Sequence, residues 1–70
     1  MADVKHLKWR NRYSGETGYV KSVSLAKGYF INTFDKSEAK QYISDKMISN
    51  DLDILLKIGE MDNNDFLTEE

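Results

Sequence analysis

Hydrophobic and polar residues alternate from Val4 to Tyr13, with Leu7, Trp9 and Tyr13 on one side and His6, Lys8, Arg10 and Arg12 on the other. A period of two predicts a half-buried strand with a basic outer face. Asn11 is the polar exception on the apolar side and needs a hydrogen-bond partner wherever that side is covered. The SGETG run of residues 14–18 is turn chemistry suited to a hairpin loop. A second strand is expected from Tyr19 to Leu25, with Tyr19, Val23 and Leu25 on one side and Val20, Ser22 and Ser24 on the other. Lys21 interrupts that alternation. Ala26, Lys27 and Gly28 form a short connection in which the glycine supplies a positive φ. Tyr29 to Phe34 is apolar or aromatic on both faces, which predicts a third strand that is central or pressed against another molecule.

The period then changes. Asp35 is placed to accept from the free amides of a helix start, Glu38 completes a capping box, and Phe34 is positioned to staple onto Ala39. Ala39, Tyr42 and Ile43 follow as a narrow helical stripe. Ser44 is a second N-cap, and Ile48, Leu52, Leu55, Leu56 and Gly59 recur at the spacing of a second helix that ends at the glycine. Ser49, Asn50 and Asp51 are poor helix formers, so the alternative is a turn there with Leu52 to Met61 as a strand. The whole reads as α+β: a three-stranded antiparallel sheet with one or two helices packed on one face. Residues 1–61 form the expected domain. Residues 62–70 form an acidic C-terminal tail in which Phe66 and Leu67 either dock as a short fourth strand or await a partner.

Composition sharpens this picture. At 70 residues with no cysteine and one histidine, the chain buries only about 60% of its unfolded surface and has no disulfide to reinforce it. A partner chain is the remaining means of stabilisation. No apolar run approaches the roughly 18–20 residues of a membrane span, and no basic start leads into an apolar secretion signal. The cytoplasm is the expected location. The net charge of −2 conceals an asymmetry: residues 1–28 hold six basic and two acidic side chains, net +4, and residues 29–70 hold four and ten, net −6. Such a division suggests two surfaces for oppositely charged neighbours, or two halves that neutralise each other in the fold.

Four kinds of chemistry can be weighed on these residues. Lys8, Arg10 and Arg12 recur at about 6–7 Å along a strand, close to the spacing of nucleic-acid phosphates, and His6 and Lys21 extend the set. Trp9 and Tyr13 point away from them, whereas a stacking platform needs aromatics among its charges. Contact with nucleic acid, plain solvation and pairing with the acidic half therefore stand side by side. Asp51, Asp53, Glu60, Asp62, Asp65, Glu69 and Glu70 form the acidic counterpart, suited either to mimic phosphates or to keep the chain soluble. Asp62 and Asn64 begin like a calcium loop but lack its glycine and its closing acid, and one histidine without cysteine makes no zinc set. No nucleophile with a base and no phosphate-cradling loop is present, so neither a cofactor nor enzymatic activity is expected. Eight aromatic residues exceed what so small a core hides, and Tyr29 or Phe30 is the best candidate for an interface anchor.

The run GYVKSVSLAKGYFINTFDKSEAKQYIS, residues 18–44, resembles small early-region proteins of phages and prophages of low-GC Gram-positive bacteria. The likeness lies in the "YVKS" strand, the short turn, the strand ending in Thr33 and Phe34, and "DKSEAKQY". It implies a small non-enzymatic accessory protein that binds and modulates or inhibits a host protein, anti-CRISPR and other anti-defence proteins being among those with assigned roles. The alternatives are direct binding of nucleic acid by the basic strand face, and a homodimer or larger homo-oligomer joined through residues 29–34.

Overall fold

The computed structural model describes residues 4–70. Strand β1 (His6–Asn11) turns Leu7 and Trp9 inward, as the alternation requires, and both are buried. It pairs antiparallel with β2 (Thr17–Ser24), which pairs antiparallel with β3 (Tyr29–Thr33). After helix α1 (Asp45–Lys57), strand β4 (Asn64–Glu69) returns to the free side of β1, giving the order β3-β2-β1-β4. The fold is thus α+β, one antiparallel sheet with one helix packed on it, and residues 64–69 supply its fourth strand.

A bulge fixes which residues of β2 face the helix. The β2–β3 register slips between Val20 and Ser22, so Lys21 is the extra residue. One added residue reverses the inward phase. Val20 and Val23 therefore share the core face, and Tyr19, expected beside Val23, lies on the opposite one. Phe30 on β3 and Phe66 on β4, at the two edges of the sheet, reach toward each other and meet edge-to-face at 5.7 Å. The covered face encloses the core of Leu7, Trp9, Val20, Tyr42, Ile48 and Leu55. Over Gly18 the indole of Trp9 lies so close that a Cβ there would be 2.7 Å from the ring.

Three expectations are corrected. Tyr13 is 80% exposed, because β1 ends at Asn11, whose Oδ1 accepts from the amides of Tyr13 and Ser14 and turns the chain. Asn11 also finds the partner its position demanded, donating through Nδ2 to Asn64 Oδ1 at 3.3 Å. β3 is an edge strand rather than a central one. Finally, the first helix is reduced to a single 3-10 turn, Lys36–Glu38, capped by Asp35. The chain then extends. The Lys40 amide donates to the Val20 carbonyl beside the bulge, and Lys5 and Tyr42 exchange backbone hydrogen bonds at 2.9 and 2.8 Å. These non-local backbone bonds replace the i to i−4 bonds a short helix would have made, and the Phe34 ring stands 6.0 Å from that of Trp9.

The second helix forms as its spacing predicts, which rules out a strand over residues 52–61. Ser44 Oγ accepts from the Met47 amide, Ile48 and Leu55 are buried, and the chain leaves the helix through Gly59 at φ 82°.

Candidate functional site

Because side chains alternate, one face of the sheet carries the core and the other is left to solvent. The register assigns the members of that open face. From β1 come His6, Lys8 and Arg10; from β4, across from them, Glu69, Leu67 and Asp65. Thr17 and Tyr19 lie opposite Arg10 and Lys8 on β2, and Thr33 lies opposite Tyr19 on β3. Tyr29 and Ile31 continue the same face along β3. Tyr29, Ile31 and Leu67 are 49%, 44% and 60% exposed. Apolar side chains therefore flank a central cationic pair.

Acidic β4 beside basic β1 neutralises much of the charge of each. Arg12, past the end of β1, donates from Nε to Asp65 Oδ1 at 2.9 Å and from a second nitrogen to the Asp62 carbonyl. Asp65 is thereby engaged by Arg12, and no ion pair joins it to Arg10, its cross-strand neighbour. At the other end hydrogen bonding toward the Glu69 carboxylate, then burial and the carboxylate's charge, hold the Tyr19 hydroxyl above its ordinary pKa. The Tyr19 hydroxyl in turn holds Glu69 below the usual carboxylate range, helped by the charges of Lys36, Lys8 and His6. His6 stands edge-on to Tyr19 at 6.4 Å. Among the described residues, neither Lys8 nor Arg10 has a carboxylate within ion-pair distance. Together with Thr17, Gly15 and Leu67 they line a shallow depression of about 350 Å³.

The residues singled out from the sequence separate into several places. His6, Lys8, Arg10, Tyr29, Asp65 and Glu69 come together on the open face. Lys21 is exposed at the bulge. Phe30 faces the core against Phe66, so of the two aromatic anchors only Tyr29 is outward. The acidic set does not form one contact surface. Asp51 is buried, its Oδ2 accepting from Lys40 Nζ at 2.8 Å and from the Tyr42 hydroxyl at 2.5 Å. Its place is explained by the extended 40–43 segment, which brings both donors over the helix. Burial, and secondly the Asp51 carboxylate, push the Tyr42 hydroxyl far up in pKa. Asp53 pairs with Lys57 one helical turn on, Glu60 and Asp62 lie in a 3-10 turn, and the main-chain oxygen of Glu70 accepts from Lys36 Nζ. Among the described residues no three acids, histidines or cysteines are grouped to hold a metal, and no helix is long and apolar enough to cross a membrane.

Thr17, Tyr19, Ile31 and Thr33 belong to the face but carry no site signal of their own in the sequence. Each is placed only by strand register, and for Tyr19 the available signal is the lysine that breaks the alternation of β2. Compared with protein-family models, with curated proteins and with solved structures, the chain has no match in any of the three.

Proposed function

We propose that the chain is a protein-binding module that docks on its partner through the open face of the sheet. One observation carries this reading: exposed Tyr29, Ile31 and Leu67 share a face with Lys8 and Arg10, which form no ion pair with any carboxylate among the described residues, while Asp65 and Glu69 on the same face keep it close to neutral. Apolar side chains among balanced charges suit the mixed surface of a protein. A polyanion would favour a uniformly positive one. Aromatic anchors and arginine carry a large share of binding energy at protein interfaces, and Tyr29 and Arg10 are of those types. In keeping with the phage-type resemblance, the partner is a host protein whose action is modulated or inhibited by occlusion, with nucleic-acid-acting defence enzymes as the leading class.

The test is photo-cross-linking from the open face. A benzophenone side chain at Ile31 or Leu67 should give a discrete adduct in a Gram-positive lysate that survives nuclease and is lost to protease. The same probe at Leu56, exposed on α1, should not. Adducts of equal yield from all three positions, or none from the open face of the folded protein, would remove the proposal.

Direct binding of nucleic acid is the second reading, favoured by Tyr19, which sits beside Lys8 and supplies an aromatic ring on the cationic face. Salt-sensitive retention of labelled DNA or RNA, abolished by the double change Arg10→Glu and Arg12→Glu, would replace the first reading with this one.

A further inference from the structure

We infer that the depression between Lys8, Arg10, Thr17 and Leu67 is a receptor for a single carboxylate of the partner protein, seated next to an apolar side chain that covers Leu67. This rests on the open face being a protein-docking surface, and it names the chemistry recognised there. Lys8 and Arg10 are two residues apart on one strand, so their stems leave the sheet about 6–7 Å apart, close enough for both heads to converge on one anion. The Thr17 hydroxyl, opposite Arg10, adds a neutral donor. Asp65, the carboxylate nearest in register to Arg10, is already engaged by Arg12. Glu69 feels the charge of Lys8 from beyond ion-pair distance, so among the described residues neither cationic head is held by a carboxylate and both can turn to an outside ligand.

The flanks of the depression decide which anion. Asp65 and Glu69 lie two residues to either side of Leu67 on the same face of β4. A phosphate chain repeats its charge at a spacing close to that interval, so a strand laid over Lys8 and Arg10 would bring further phosphates against these carboxylates. One carboxylate flanked by uncharged residues meets no such repulsion. Leu67, 60% exposed beside Lys8, then offers apolar surface that a peptide side chain can cover. The ligand is therefore an acidic residue with an apolar neighbour in an accessible segment of the partner.

The test is a titration of the full ¹⁵N-labelled chain with three probes: acetyl-Leu-Asp-amide, acetyl-Leu-Asn-amide and a short oligothymidylate. The acidic dipeptide should shift amides at residues 8, 10, 17 and 67 in a saturable manner. The asparagine analogue, and the acidic dipeptide on a Lys8→Gln, Arg10→Gln variant of unchanged spectral dispersion, should each bind roughly tenfold more weakly or less, because a charge-assisted pair is lost. Equal binding of both dipeptides, no saturation, or saturation by the oligothymidylate at lower concentration than by the acidic dipeptide would overturn the assignment. If the dipeptide fails while the Ile31 cross-link persists, the carboxylate site alone is wrong. If both fail, the docking face is wrong as well.

Discussion

Replacing Gly18 with alanine tests the inward placement of Trp9, on which the division of the sheet into a core face and an open face depends. The added Cβ would stand 2.7 Å from Trp9 Cε2 and Cζ2 and 2.8 Å from Nε1. Carbon atoms prefer about 3.5–4.0 Å, so the overlap is close to 1 Å. The ring has little room to retreat, since Trp9 is only 6% exposed and packs in one cluster with Leu7, Val20, Tyr42, Ile48 and Leu55. Overpacking of this kind costs about 1–3 kcal/mol, rising towards the roughly 3–5 kcal/mol of a lost core aromatic if the indole swings out. A value near 2 kcal/mol, with a urea slope of about 1 kcal/mol per molar for so small a chain, lowers the unfolding midpoint by about 2 M. Trp9 is the only tryptophan, so its fluorescence reports both the transition and the local packing. The folded variant should emit to the red of the parent. An unchanged midpoint together with unchanged emission would show that the indole does not lie over Gly18, and the assignment of faces would fail with it.

Three further outcomes follow from the buried and cross-strand polar groups. Tyr42→Phe removes one of the two donors to the buried Asp51 carboxylate and should cost about 1–3 kcal/mol in urea unfolding. Because the folded Tyr42 hydroxyl is raised, the unfolded chain releases that proton first. Its contribution is complete below about pH 10 and declines as pH rises beyond that, a loss in melting temperature that Tyr42→Phe should flatten. Asn11→Ala removes the bonds that turn the chain after β1 and the link to Asn64, and should cost about 1–2 kcal/mol by the same assay. Glu69 is held low by Tyr19 and nearby cations, so its contribution is present above about pH 4.3 and fades as pH falls. Glu69→Gln should therefore give a shallower loss of melting temperature in acid than the parent.

Features that depend on local pattern are legible in the sequence. The inward Leu7 and Trp9, the Ser44 cap with its helix to Gly59, and the Gly28 turn, observed at φ 75°, each follow from residues within one or two turns of chain. What could not be read depends on partners distant in sequence. The Asp35 cap is real, but the amides of Lys40 and Tyr42 bond to Val20 and Lys5, and these bonds keep the segment from continuing as a helix. Lys21 was visible as an irregularity, yet only the paired strand shows that it is a bulge, and the bulge is what puts Tyr19 among the cations. The charge division was read from composition, and its neutralisation by β4 lying along β1 was one of two arrangements open to it. Asp51 looked like a surface acid because its donors, Lys40 and Tyr42, stood in what read as another helix.

The docking face is tested most directly by removing its apolar contacts while leaving the fold alone. In the triple variant Tyr29→Thr, Ile31→Thr and Leu67→Thr, each change is at a solvent-exposed strand position and threonine keeps the preference for extended backbone. Stability should stay within about 1 kcal/mol of the parent. Retention of the cross-linked partner by the immobilised variant, measured beside the parent, should fall to the level of a blank support. A folded variant that retains the partner as well as the parent would contradict the assignment of this face as the site of action.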